Sequence, residues 1–191
     1  MGMARLIYSM ITSLDGYASG PDGGFDWAID PDVHEFINEQ FSDVGTYLYG
    51  RRMYETMVYW ETAHLEPDQE QVGIDYALGW QQADKIVFSR SLTEVSSART
   101  RIEREFDPAA VARWKDELPH DLTIDGPTIA AQAIRAGLVD EFQLFIGPGI
   151  VGGGLRFFPD GVHIDLELID EHRFDSGLMF LRYQTVRPLG G

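Results

Sequence analysis

The sequence predicts an α/β domain: a central mixed, mostly parallel sheet, helices on both faces, and an antiparallel hairpin at the C-terminal end. Three observations carry this. Short apolar or β-branched runs (RLIYSMITS, TYLYG, KIVFS, DLTID) alternate with segments of helical periodicity. Prolines stand where helices would begin, at Pro31, Pro108 and Pro127, because a first-turn residue needs no N–H. The last stretch reads as two extended runs around a turn near Asp175-Ser176-Gly177.

The elements follow in order. RLIYSMITS (5–13) is a buried strand. Residues 15–31 are rich in Gly, Asp and Pro and make a loop too long for a turn, a length that usually carries function. Asp30 can cap the next helix, on which Val33, Phe36, Ile37, Phe41 and Val44 recur at helical spacing. TYLYG (46–50) is a strand ending in glycine, and RRMYETMVYW opens a helix. Residues 61–82 show no clear period and are read as a loop with a short helix. KIVFS (85–89) and 101–106 are strands; Pro108 opens a helix bearing Val111, Trp114 and Leu118. DLTID (121–125) is a strand, and Pro127 opens a helix that Gly137 ends. Residues 142–146 are a strand, GPGIVGGG a glycine-rich bend, and HIDLELID with LMFLRYQTV the final hairpin.

The whole chain, residues 1–191, fits one domain. It has no cysteine, which excludes disulfide scaffolds, Cys-zinc sites and thiol nucleophiles and suits the cytoplasm. Lys+Arg total 15 and Asp+Glu 31, a net charge of −16 that repels nucleic acid and anionic membranes. No apolar run is long enough to span a bilayer, and the first residues do not read as a secretory signal. None of the five histidines has metal-ligand spacing, and no Gly-x-Ser-x-Gly elbow is present.

Five stretches can carry chemistry. Gly50-Arg51-Arg52-Met53 joins a strand to a helix start, where free N–H groups and two forked donors would hold a phosphate; taken alone, an ordinary solvated arginine pair explains it as well. Ser89-Arg90 ends a strand, a place suited to a ribose phosphate or to a surface turn. Gly126-Pro127-Thr128-Ile129 is a second helix start and also simple helix initiation. Gly152-Gly153-Gly154 means close approach of a ligand or of another chain segment, or else a bulge or sharp bend. The acidic loop offers Asp15, Asp26, Trp27, Asp30 and Asp32; burial beside an indole would raise a carboxyl pKa, whereas a helix start would lower that of Asp32.

In their order these pieces resemble the dihydrofolate reductase-like superfamily, and more closely the branch of the riboflavin-biosynthesis reductase domain, a 5-amino-6-(5-phosphoribosylamino)uracil reductase. The resemblance rests on Ser13-Leu14-Asp15-Gly16-Tyr17, Asp26-Trp27, Gly50-Arg51-Arg52-Met53-Tyr54-Glu55, Lys85-Ile86-Val87-Phe88-Ser89-Arg90, Asp125-Gly126-Pro127-Thr128, Gly137-Leu138-Val139-Asp140-Glu141 and PGIVGGGLRFF (148–158). It implies a three-layer fold and an NADPH-dependent oxidoreductase acting on a small heterocyclic or carbonyl substrate. By the same resemblance Gly50, Arg51, Arg52 and Met53 meet cofactor phosphates, Ser89 and Arg90 the ribose and its 2′-phosphate, and Gly126, Pro127, Thr128 and Ile129 the pyrophosphate, with Gly153 a further cofactor-binding residue. Asp32, following Trp27, takes the place of the substrate-binding carboxylate, and Asp15 is a second polar contact. Met10 stands where the riboflavin reductases carry a lysine, which argues against a ribosyl phosphate substrate. A homodimer is implied. The alternatives are the same fold with a flavin or deazaflavin, or a non-catalytic nucleotide-binding oligomeric module.

Overall fold

The computed structural model describes residues 3–24 and 30–186. Its centre is an eight-stranded sheet. In chain order the strands are β1 (Leu6–Ser13), β3 (Val44–Gly50), β4 (Asp84–Phe88), β5 (Thr100–Glu103), β6 (Asp121–Asp125), β7 (Glu141–Gly147), β9 (Leu166–Arg173) and β10 (Met179–Thr185). In space they run β5-β4-β3-β6-β1-β7-β10-β9. The first six are parallel; β10 pairs antiparallel with β7 and with β9. Two short strands, β2 (Tyr17–Ser19) and β8 (Leu155–Arg156), form a separate antiparallel pair.

The helices are α1 (Pro31–Gln40), α2 (Arg51–Met57), α3 (Gln71–Gln82), α4 (Pro108–Glu117) and α5 (Pro127–Arg135). Alternation along the strands decides which face each one covers. On one face Leu6, Tyr8, Leu48, Leu122, Ile124 and Phe142 pack with Val111 of α4 and Ile129, Ala130, Ala133 and Ile134 of α5. On the other, Tyr47, Tyr49 and Val87 pack with Trp80 of α3, and Phe145 and Phe180 with Val33 of α1. Tyr49 and Trp80 are fully buried, and Trp80 Nε1 donates to the Tyr49 hydroxyl at 2.9 Å, so neither polar atom is stranded.

Several boundaries differ from the sequence reading. α1 ends at Gln40, and Val44 begins β3 instead of extending the helix. Asp30 occupies the N-cap position, yet its side chain makes no capping hydrogen bond. The stretch 71–82 is a full helix; Gly73 and Gly79 dilute its apolar stripe, so periodicity alone does not show it. The glycine-rich segment 15–24 contributes β2, anchored by β8 from beyond the Gly152-Gly153-Gly154 run. At Gly154 (φ +119) a Cβ would overlap the Ser19 carbonyl oxygen, so that glycine permits the pairing. Gly137 (φ +67) does end α5, with Leu138 N donating to the Ala133 carbonyl at 3.0 Å. No helix among the described residues is long and apolar enough to cross a membrane.

Candidate active site

The site is made where neighbouring parallel strands end. β3 ends at Gly50 and α2 begins at Arg51; β6 ends at Asp125 and α5 begins at Pro127. Because β3 and β6 are adjacent, the two turns stand side by side. A Cβ on Gly50 would lie 3.7 Å from Ile129, and one on Gly126 3.4 Å from Met53 Cβ. Gly126 has φ +104, a conformation that side chains rarely adopt. Pro127 has no N–H, so Thr128 and Ile129 supply the amides that the first turn of α5 leaves without helical partners. On the other side of β3, β4 delivers Ser89 and Arg90.

A cleft of about 1370 Å³ runs across these strand ends. Gly50, Arg51, Arg52, Met53, Ser89, Arg90, Gly126, Pro127, Thr128 and Ile129 all line it, so every residue expected of the three turns meets in one cavity. Arg51 is held by Glu55 at 2.7 Å and donates to Ser91 at 2.9 Å. Arg90 pairs with Glu105 at 3.0 Å on the surface. Ser89 is buried, and its hydroxyl accepts from Leu92 N at 3.0 Å, which closes the turn after β4.

A second group of lining residues is aromatic and apolar. The sheet contributes Ser9, Ile11, Tyr47, Asp125 and Phe145; α1 contributes His34 and Ile37; Trp60 and Tyr76 complete the wall. His34 lies 5.5 Å from Trp60 and 5.6 Å from Tyr76, ring centre to ring centre. Burial lowers the His34 pKa against the opposing charge of Glu70, which keeps the ring neutral at neutral pH. Asp125 is buried, and Thr123 Oγ1 donates to its Oδ2 at 2.7 Å. Burial pushes its carboxyl up to about 7; the Thr123 hydrogen bond pulls the other way and loses.

The residues expected to do chemistry fall elsewhere. Asp32 is exposed on the first turn of α1 and does not line the cleft. Asp15 holds the glycine-rich bend, accepting from Val151 N at 3.1 Å and Gly152 N at 2.8 Å. Its pKa is lowered, first by the Ser13 hydroxyl and then by those amides, opposite to what a proton donor needs. Gly153 is not part of the lining; a Cβ there would make an ordinary 3.6 Å contact with Pro21. Trp27 lies outside the described residues.

Sequence reasoning missed Tyr47, His34, Trp60, Tyr76 and the side chain of Asp125. One signal for Asp125 was present. Alternation in DLTID sets Leu122 and Ile124 on one face and leaves Thr123 and Asp125 on the other, a polar pair at a strand's carboxyl end. Arg104 was also missed. It follows β5 and donates to the Ser89 and Leu92 carbonyls at 3.1 and 2.6 Å, bracing the Ser89-Arg90 turn.

Comparison with known proteins agrees with this architecture. The chain is 29% identical over 187 residues to the uncharacterized protein YyaP of Bacillus subtilis (strain 168), which covers 94% of each chain. A solved chain from Shewanella sp. PV-4, assigned to riboflavin biosynthesis, superposes with a TM-score of 0.73 at 20% identity, covering 96% of this chain and 99% of that one. Dihydrofolate reductase from Enterococcus faecalis, complexed with NADP(H), gives 0.62 at 14% identity, with 95% and 96% covered. The Thermotoga maritima deaminase and 5-amino-6-(5-phosphoribosylamino)uracil reductase gives 0.65 at 14% identity, with 96% of this chain and 57% of that one covered. These likenesses place the three layers in the dihydrofolate reductase-like fold. A family model described as RibD C-terminal domain matches residues 4–180, and on that match the chain belongs to the RibD C-terminal domain family.

Proposed function

We propose that this chain is an NADPH-dependent reductase of a small, planar substrate that presents a C=N or C=O group. The carrying observation is the single cleft, in which three phosphate-suited turns and an aromatic chamber share one cavity. At about 1370 Å³ it exceeds the range of roughly 300–1,000 Å³ usual for one drug-sized ligand, so a dinucleotide and a second molecule fit together.

The residues suit the cofactor. Arg51, Arg52, Arg90 and Arg104 gather at the cleft of a chain whose net charge is −16, which makes it a local anion site. Arg51 and Arg52, with the Thr128 and Ile129 amides, would hold the pyrophosphate. Arg90 would meet a 2′-phosphate. Its surface pair with Glu105 is worth little and is easily exchanged for that ligand. Gly50 and Gly126 keep the root of the cradle free of side chains. Bound NADPH supplies the hydride. Tyr47, Trp60, Tyr76 and Phe145 present flat apolar surface for the acceptor and displace water from it.

Trp60 lines the cleft, so ligand binding is read by tryptophan fluorescence. Titration with NADPH should quench it at lower concentration than NADH, and FMN should leave it unchanged. Oxidation of NADPH against a panel of pterins, riboflavin precursors and simple carbonyls then identifies the acceptor. Quenching by FMN alone, or by none of the three, overturns the reading.

A further inference from the structure

Two carboxyl groups line the cleft among the described residues, Glu105 and Asp125. Glu105 is exposed and paired with Arg90. Asp125 is buried, and no ion pair to it forms among the described residues. Its Oδ2 accepts from Thr123; its Oδ1 has no protein partner among them. Oδ1 is therefore the atom left for a ligand in the aromatic chamber.

The surroundings of Asp125 decide its state. Tyr47 and Tyr49 of β3 and Tyr76 of α3 stand on its side of the sheet, and Tyr8 of β1 on the opposite face; the pKa of each phenol is raised, by burial first and in part by the charge of Asp125. α1 brings His34 to the same cleft, the start of α2 brings Arg51 and Arg52, and the segments after β4 and β5 bring Arg90, Arg104 and Glu105. The start of α5 brings only Pro127, Thr128 and Ile129 to the lining. A buried carboxyl with one hydroxyl donor and no paired cation keeps its proton to near-neutral pH. The phenols hold their protons too tightly to release them, and His34 is already neutral.

We propose that Asp125 is the acid of the reduction, an inference that rests on the reductase reading. Asp125 gives the proton on Oδ1 to the heteroatom of the acceptor's C=N or C=O group while the carbon of that group receives the hydride. The hydride pair becomes the new C–H bond, and the former π pair becomes the new N–H or O–H bond. The dihydronicotinamide donor is left oxidised by two electrons, and Asp125, left as carboxylate, regains a proton from water. One NADPH and one proton are consumed for each acceptor reduced.

The test uses the full chain and two readouts. In the infrared, the wild-type protein should show a protonated-carboxyl band that bleaches with a midpoint near pH 7 and is absent from Asp125→Asn. In single-turnover NADPH oxidation with the best acceptor of the panel, the wild-type rate should fall as pH rises through that midpoint. Asp125→Asn should be slower by about 100- to 10,000-fold, with a flat pH profile. Thr123→Val removes the bond that favours the carboxylate, so it should move both midpoints upward; a purely structural role would move the infrared midpoint alone. An Asp125→Asn enzyme with the wild-type rate and pH profile overturns the role of Asp125 and leaves the reductase reading standing. So does a wild-type spectrum without the band. A wild-type protein that neither binds nor oxidises NADPH overturns the reductase reading, and this role with it.

Discussion

Met53 and Gly126 meet at the root of the cleft: a Cβ added to Gly126 would stand 3.4 Å from Met53 Cβ. That separation is ordinary van der Waals contact, so what keeps a side chain out of this position is the backbone, held at φ +104. Gly126→Ala should cost about 1–3 kcal/mol of stability through backbone strain. It should also weaken NADPH binding, because the strain is relieved by moving the Thr128 and Ile129 amides. Urea unfolding and a fluorescence titration check the two effects.

The proposed function divides the work of binding between the arginines. Arg52→Met should weaken NADPH and NADH alike, by about 10-fold or more, since both carry the pyrophosphate. Arg90→Met should weaken NADPH alone and bring the two dinucleotides to similar affinity. Titrations of both variants with both cofactors test this. Equal loss for both ligands in Arg90→Met would remove the 2′-phosphate contact from that residue.

Asp125 makes stability depend on pH. Its folded pKa, about 7, stands above the ordinary 3.8, so the folded chain holds a proton that the unfolded chain releases. Stability should decline as pH rises from about 4 to about 7, and the full penalty persists above that. Asp125→Asn removes the penalty. Above about pH 8 it should be more stable than wild type by up to about 4 kcal/mol, with little difference below about pH 4. Urea midpoints at several pH values measure it, and a constant difference across pH would contradict the buried-acid account.

Lys115 and Asp140 pair at 2.5 Å with Lys115 buried, and Lys115 Nζ also donates to the Leu138 carbonyl at 2.8 Å. Lys115→Met should cost about 3 kcal/mol, since it removes a buried ion pair and takes the donor from the Leu138 carbonyl. NADPH affinity should hold, because neither residue lines the cleft. Urea unfolding beside a binding titration separates the two.

The Gly154→Ala variant tests the small sheet. Its Cβ would overlap backbone at Ser19, which no rotamer relieves, so β2 and β8 must part. Faster amide exchange at Tyr17 and Ser19, with the main sheet unchanged, is the expected result.

The three turns that line one side of the cleft were legible because local chemistry writes them. Glycine before a helix, proline at its first position and arginine at a strand end are each required within a few residues, so Gly50–Arg52, Ser89-Arg90 and Gly126–Ile129 could be read from the chain. The chamber half was not. Ser9, His34, Tyr47, Trp60, Tyr76 and Phe145 come from six separate stretches with no common spacing, and only the sheet order brings them together. Asp32 shows the opposite failure: the right residue type at the right spacing sits on an exposed helix start outside the cleft.

The alternation of strands and helices, the helix starts and the glycine turns were readable from the chain, because period, capping and backbone freedom act within a few residues of one another. Which carboxyl is buried enough to keep a proton near neutral pH follows from the folded arrangement. That depends on how much protein excludes water from a group, and Asp125 loses its water to residues dozens of positions away in the chain.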